Sequence, residues 1–265
     1  MRMLIKLKRG EKMRNRIIRL LILSLVIQTL YVPNVLGQDT EVQSIVENLQ
    51  QTSHITTREY FNLAPEEFRP FEYAIFSGSD EVNLKYSGWK MFVEGDIHTN
   101  KDFEANCTEL EINGNCEAVG SVKVDGYLQG IQQSTTGAAL YVMPDFYERT
   151  TEVLKDEAEV YHGSTYFNSP EINLDSSIIV NGSVHFDTIN VNGKGYVLAQ
   201  EDINFNINNL KNISDTKVCY YSKEGNIVIN ASNVELNGIF YAPNGKIILN
   251  GYDIKINGRI IANEV

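Results

Sequence analysis

The chain has 265 residues, of which 43% are hydrophobic and 22% charged, with a formal net charge of −11 at pH 7; that length can bury a sizeable core in one large domain or two small ones. Residues 1–37 hold eight of the 23 Lys and Arg but one of the 34 Asp and Glu, so residues 38–265 carry 15 basic and 33 acidic side chains, a net −18. A surface of that sign lacks the basic footprint that phosphate backbones and anionic lipids require, so nucleic acid is not the expected partner; it suits solvation, calcium or a basic surface partner.

Lys6, Lys8, Arg9, Lys12, Arg14 and Arg16 precede an apolar run from Ile17 to Val32, followed by Pro33 and the small-residue sequence Val35-Leu36-Gly37. That order reads as a secretory signal peptide over 1–37, and it implies an extracellular or cell-surface protein with no membrane contact after cleavage. The apolar part is short for a bilayer span of roughly twenty residues, which makes an uncleaved anchor the weaker alternative. Residues 38–70 form a second segment. Within it Val42, Ile45, Val46 and Leu49 follow a helical period, so a short amphipathic N-terminal helix over Glu41–Leu49 is expected, suited to lie across a first rung, then a linker.

From Phe71 onward the runs are β-prone: Tyr73 to Phe76, Val82 to Tyr86 and Lys90 to Val93, with Gly78-Ser79-Asp80 and Ser87-Gly88 as turn signals. A repeat then becomes visible, clearest in the last forty residues, where Gly238 and Gly258 stand twenty apart, as do Gly225 and Gly245. Aligning on the leading glycine gives Gly95, Gly114, Gly182, Gly195, Gly238 and Gly258. Two places on stand Ile97, Cys116, Val184, Val197, Phe240 and Ile260, and four places on stand Thr99, Ala118, Phe186, Ala199, Ala242 and Ala262. Alternate strand positions share one face, so the second and fourth places read as core-facing, with a small residue at the fourth where the coil is tight. Phe186 breaks that rule and makes the Gly182 unit the odd one. Val218–Tyr221 reads as another unit without its glycine.

Seven Asn-Gly dipeptides, at Asn113, Asn181, Asn192, Asn237, Asn244, Asn250 and Asn257, mark the corners. Taken singly they suit two-residue hairpins, so an antiparallel meander is the competing architecture. The fixed period favours a coil, and stacked asparagines at equivalent corners suit hydrogen-bonded ladders. The expected fold is therefore all-β: a single-stranded parallel β-helix (β-solenoid) over 71–265, with rungs of about 20 residues. The period breaks between about 126 and 176. There Gln129–Gly137 reads as a polar loop, and a helix is expected to start with Asp145 as N-cap and Glu148 in capping-box spacing. Its apolar side is Phe146, Val153, Leu154 and Ala158, and it is expected to pack on one flank of the coil.

Tyr73-Ala-Ile-Phe-Ser-Gly78, Gly95-Asp-Ile-His-Thr-Asn100, Met143-Pro-Asp145, Gly195-Tyr-Val-Leu-Ala199 and Gly238-Ile-Phe-Tyr-Ala-Pro-Asn-Gly245 resemble, in this order, segments of bacterial exported or envelope-attached β-helical proteins of the pilus-assembly-associated, PilX/TadG-like type. The similarity covers roughly residues 71–265. The short rungs also resemble, more weakly, those of the polymer-forming bactofilins. The resemblance implies a structural role at the cell surface and supplies no catalytic residues.

Few residues invite chemistry. His98 and His185 each stand three places after their glycines, a position that should point outward and that Tyr221 and Tyr241 also fill, so these four are the surface candidates. Paired imidazoles suit metal binding or proton transfer, yet Asp96 is the one acidic neighbour at a defined offset. No GxSxG, HExxH or phosphate-loop pattern occurs, and no cofactor is expected. Cys107, Cys116 and Cys219 have no zinc spacing. Cys107 and Cys116 could form a disulfide in an exporting cell, but the repeat frame sets them on different sides of a rung. The sequence thus points to a non-catalytic structural or interaction module, self-associating or pilus- and envelope-associated, with its last rung, Gly258–Val265, expected either to stack on a partner or to be shielded by a neighbouring segment. The alternative is a β-helix that binds or cleaves an extracellular polysaccharide, with a glycan as ligand.

Overall fold

The computed structural model describes residues 65–126, 128–169, 171–174, 176–187, 190–208 and 217–265. The expected signal peptide and the helix over Glu41–Leu49 lie outside the described residues. A 3-10 helix, Pro65–Glu72, leads into β1 (Ile75–Ser77), β2 (Leu84–Glu94), β3 (Ile97–Thr99), β4 (Phe103–Ala118), β5 (Val122–Asp125) and β6 (Leu128–Thr136). After the helix α1 (Tyr147–Leu154) come β7 (Glu159–Tyr161), β8 (Thr165–Phe167), β9 (Glu171–Leu174), β10 (Ile178–Val180) and β11 (Val184–Phe186). The chain closes with β12 (Asn190–Ala199), β13 (Ile203–Asn208), β14 (Lys217–Ser222) and β15 (Ile227–Glu264). Among the described strands every ladder is parallel. No helix among the described residues is long and apolar enough to cross a membrane.

Register defines the coil. Ile178–Val180 pair with Val197–Ala199, an advance of nineteen residues per turn. Three walls follow one another at six-residue steps. The first holds Ile178–Val180, the second Val184–Phe186 paired with Ile203–Phe205, and the third Asn190–Gly193 paired with Glu171–Leu174. Alternate residues point inward and stack on their equivalents in the next rung. In β4 these are Phe103, Ala105, Cys107, Leu110, Ile112, Cys116 and Ala118, all buried. At the second wall Phe167, Phe186 and Phe205 form a column with ring centroids 5.3 and 4.9 Å apart, within the range favoured by stacked aromatics.

The small-residue column belongs to the first wall. Ala199 pairs with Ser222, Ser77 with Ala262 and Thr99, and Thr99 with Ala118. Gly95, Gly114, Gly195, Gly238 and Gly258 all precede first-wall segments. Gly258 lies over Gly238, and a Cβ there would collide with the Gly238 carbonyl, which explains why that corner admits only glycine. Gly182 is a correction to the sequence alignment. It opens the second wall, so Phe186 stands in the aromatic column rather than in the small-residue one.

Rung order along the axis is not chain order. β1 pairs with β3 on one side and with Ile260–Ala262 of β15 on the other. Two half-coils therefore meet at the middle of the solenoid. Residues 73–136 wind outward from the joint to β6; residues 137–158 then run back along the first wall, and β7 to β15 wind inward until the last rung rests on β1. Of the two outcomes expected for the rung Gly258–Val265, a stacked partner or a shielding neighbouring segment, the first wall shows the second: β1 pairs with Ile260–Ala262. The interruption is also narrower than expected. β6 pairs with β4 where a polar loop was read, and β7, β8 and β9 pair with β10, β11 and β12, which leaves 137–158 outside the coil. β6 is polar because a rung with one neighbouring layer covers less of its surface; Gln132 and Gln133 are exposed.

α1 begins at Tyr147 rather than directly after Asp145. Asp145 still serves the helix start, since its Oδ1 accepts from Tyr147 N at 2.9 Å and from the Tyr221 hydroxyl. Glu148 does not close a capping box and instead pairs with Lys223 at 2.6 Å. α1 and the preceding loop cover the outer side of the first wall. A second apolar cluster forms there from Tyr73, Phe76, Tyr147, Leu154, Ile179, Leu198, Tyr221, Tyr241 and Ile261.

Candidate functional site

That second cluster decides the fate of three of the four surface candidates. Outward positions of the first wall do point away from the coil, but into the covering segment rather than into water. His98, Tyr221 and Tyr241 are buried. His98 stacks on Phe76 at 5.2 Å and lies 4.9 Å from the Tyr141 ring. Its Nε2 is 3.1 Å from Asn100 Oδ1, and its Nδ1 is 3.5 Å from Glu117 Oε2, which also accepts from the Tyr73 hydroxyl at 2.8 Å. Asn100 donates to the carbonyls of Gly78 and Tyr141, so this group ties β3, the segment after β1 and the covering loop together. Burial holds the His98 imidazole below its ordinary pKa, opposed by Asn100 and Glu117. Burial likewise raises Tyr221, with Asp145 adding to it, and Tyr241 donates to the Pro144 carbonyl. These groups hold the flank in place.

His185 lies apart from that cluster. It belongs to the second wall, is half-buried and stacks on Tyr166 with centroids 4.4 Å apart. The two histidines do not converge. Among the described residues no three or more His, Cys, Asp and Glu side chains gather where they could hold a metal ion. Cys107, Cys116 and Cys219 are free thiols, and burial pushes Cys116 and Cys219 up to about 12, which disfavours the reactive thiolate.

The remaining outer surface is organised in columns along the axis. Asn250 donates to Asn230, Asn230 to Asn206 and Asn206 to Asp187, at 3.0, 3.0 and 3.1 Å. Asn257 donates to Asn237 at 2.8 Å, and Asn192 to Asn173 at 3.3 Å. The corner asparagines therefore ladder as the repeat suggested. Lys and Glu alternate in the same manner: Lys85–Glu104–Lys123, Lys90–Glu109 and Glu235–Lys255. Such exposed pairs are individually weak, but as columns they fix which residue type suits the next rung.

Comparison with protein-family models, with curated proteins and with solved structures gives no match to this chain. The candidate site therefore rests on its own geometry, and the strongest geometric feature is the strand edges. β5 and β6 form ladders with β4 alone among the described strands, and β7, β8 and β9 form ladders with β10, β11 and β12 alone. Val122 and Ile131 at one end, and Tyr161, Phe167 and Ile172 at the other, pack against the core while staying partly accessible. Both ends carry three walls at the spacing used inside the coil. Such edges offer hydrogen bonds in a defined register and apolar side chains between them.

Sequence reasoning placed the helix on one flank of the coil but missed that this flank is the first wall, whose outward residues it buries. A signal for it exists: Phe76, Ile179, Leu198, Tyr221, Tyr241 and Ile261 are outward positions in successive rungs, and all are large and mostly apolar. A wall that is apolar on both faces must be covered on both.

Proposed function

We propose that this protein is an exported, cell-surface or extracellular scaffold that acts by binding, not by catalysis, and that it associates with its own copies or with a pilus or envelope component. The observation that supports this reading is the pair of coil ends whose outer edges carry no ladder among the described strands. At one end walls start at Val122, Leu128 and Ser134, and at the other at Glu159, Thr165 and Glu171. Both sets repeat the six-residue step of the interior, so a rung of one copy can continue the ladder of another. A head-to-tail contact of this kind does not close on itself and gives linear assemblies. The signal-like N-terminus and the resemblance to envelope-attached β-helical proteins support the location.

Light scattering and negative-stain microscopy of the purified protein test the reading. Concentration-dependent linear particles are expected, shortened by Tyr166→Pro, which removes an edge donor from β8. A strictly monomeric protein that releases reducing ends from a glycan would overturn it. A second reading, glycan binding without cleavage, is favoured by the exposed rings of Trp89, Phe92 and Tyr252, which can stack on the apolar faces of sugars.

A further inference from the structure

Among the described residues the joint between the half-coils is complete on the first wall and open on the other two. On the first wall Ile260–Ala262 of β15 pair directly with β1. Counting rungs from the β15–β1, β1–β3 and β2–β4 registers sets the preceding turn of β15, Ile247–Asn257, two rung heights from Leu84–Glu94 of β2 on the second and third walls, about 10 Å at a strand spacing of ~4.8 Å. That is room for one strand. β2 forms a ladder with β4 alone among the described strands. At the mouth of the gap Lys85 N donates to Val265 O at 3.3 Å.

Burial shows that both lips are built as interior positions. In one inward column Phe205 and Ile229 are 0% exposed, yet Leu249, directly above Ile229, is 40% exposed. Val234 and Leu236 are buried, whereas Ile254 and Ile256 above them are only half-buried. On the opposite lip Ala105 and Leu110 are buried while Tyr86 and Met91, their neighbours on the gap side, are half-buried. Outside the gap Trp89 is 77% and Tyr252 65% exposed, one on each lip.

We propose that this one-strand gap between β15 and β2 is a docking slot for a single extended segment of another polypeptide, running parallel to both lips, apolar at its inward positions and acidic at three outward ones. The side chains specify those positions. Inward, the segment meets Ile247 and Leu84, Leu249 and Tyr86, Ile254 and Met91, and Ile256 and Val93. Outward, it meets Lys85, Lys90 and Lys255. Each of these lysines pairs with a glutamate of the rung on its far side, so an acidic residue within the slot continues the alternation. The asparagine ladder that reaches Asn250 continues with one more asparagine. Strand addition supplies affinity through the main chain and specificity through alternate side chains.

The chain contains a sequence of this pattern. Phe103–Asn113 of β4 presents Phe103, Ala105, Leu110 and Ile112 inward, Glu104, Glu109 and Glu111 outward, and Asn106 at the ladder position, and it pairs with the other edge of β2 in this register. A synthetic peptide of that sequence with Cys107→Ser is therefore a fitting probe. The inference rests on the binding role proposed above but concerns the middle of the coil, not its ends.

The test is fluorescence anisotropy of the labelled peptide on the purified full chain, with amide hydrogen exchange read in parallel. Saturable binding is expected, with slowed exchange over 84–94 and 247–257, and none with a scrambled peptide. Lys85→Glu with Lys255→Glu, both at exposed positions, should weaken binding about tenfold by reversing two charge contacts. Absence of binding, or protection confined to 122–136 or 159–174, would overturn the slot while leaving the scaffold reading intact. Lips already protected in the free protein and crosslinking to residues 38–64, or to a second copy, would assign the slot to this chain and overturn the foreign partner. Protection by a soluble oligosaccharide but not by the peptide would make the aromatic rims a sugar site and would equally overturn it.

Discussion

His98 illustrates how one position changes meaning when its surroundings are known. Three places after a corner glycine it points out of the coil, but it is sealed beneath Tyr141 and between Tyr73 and Phe76. Its pKa is held below the ordinary histidine value by burial. A proton is therefore bound more readily by the unfolded chain than by the folded one, so the contribution of this site is full above about pH 6.5 and is lost as pH falls from there through the folded value. Asn100, Glu117 and Tyr73 face the ring, and of these Asn100 and Glu117 limit the loss by stabilising the imidazolium. Thermal melts between pH 7.5 and 5 should show a falling midpoint. His98→Gln, which keeps a polar group of similar reach, should flatten that slope. An unchanged slope would show that another group titrates the fold.

At the scale of elements, α1 and its loop act as a lid fixed along the first wall. Tyr221 donates to Asp145, Tyr241 to the Pro144 carbonyl, and Lys223 pairs with Glu148, so two stacked outward tyrosines of the wall and the lysine just past it grip one short segment. Leu154→Ala should cost about 2–5 kcal/mol, the usual range for emptying a buried leucine site, in urea unfolding followed by near-UV circular dichroism of the flank tyrosines. A loss below about 0.5 kcal/mol would mean that the helix packs loosely. Much of this architecture was legible in the sequence. The inward pairs Ile97/Thr99, Cys116/Ala118, Val197/Ala199 and Phe240/Ala242 mark rungs because a parallel coil stacks like on like, and the corner asparagines ladder for the same reason. The helix was legible as an element but its start was not, because Asp145 bonds both a backbone N–H and the distant Tyr221 hydroxyl. The fate of His98, Tyr221 and Tyr241 was legible only in the column as a whole, whose outward residues Phe76, Ile179, Leu198 and Ile261 are apolar, and not at any of these positions taken alone. The order of the rungs was not legible. Every rung is locally alike, so periodicity cannot tell which rung of one half-coil rests on which rung of the other.

At the scale of the molecule, the solenoid is two half-coils held together at the middle by the β15–β1 ladder on one wall and by the covering segment outside it. Coil proteins owe stability to contacts between neighbouring rungs, so a joint that is paired on one wall of three is the weakest interface along the axis. Rejoining the chain there is a direct test. A permuted chain would start at Ala138, run to Val265, continue through a linker with the pattern of Phe103–Asn113 into Glu66, and end at Gly137. Its linker would occupy the second and third walls between Ile247–Asn257 and Leu84–Glu94, and the coil would then be unbroken. Compared with residues 66–265 in their natural order, the permuted chain should melt at a higher temperature and in one transition. The natural order should show earlier exchange at the amides of 84–94 and 247–257 than at those of 103–112 and 227–232, which lie inside their half-coils. Equal exchange across these segments, with no gain from the permutation, would mean that the joint is as strong as any internal rung and that the exposure of Leu249 carries no energetic consequence.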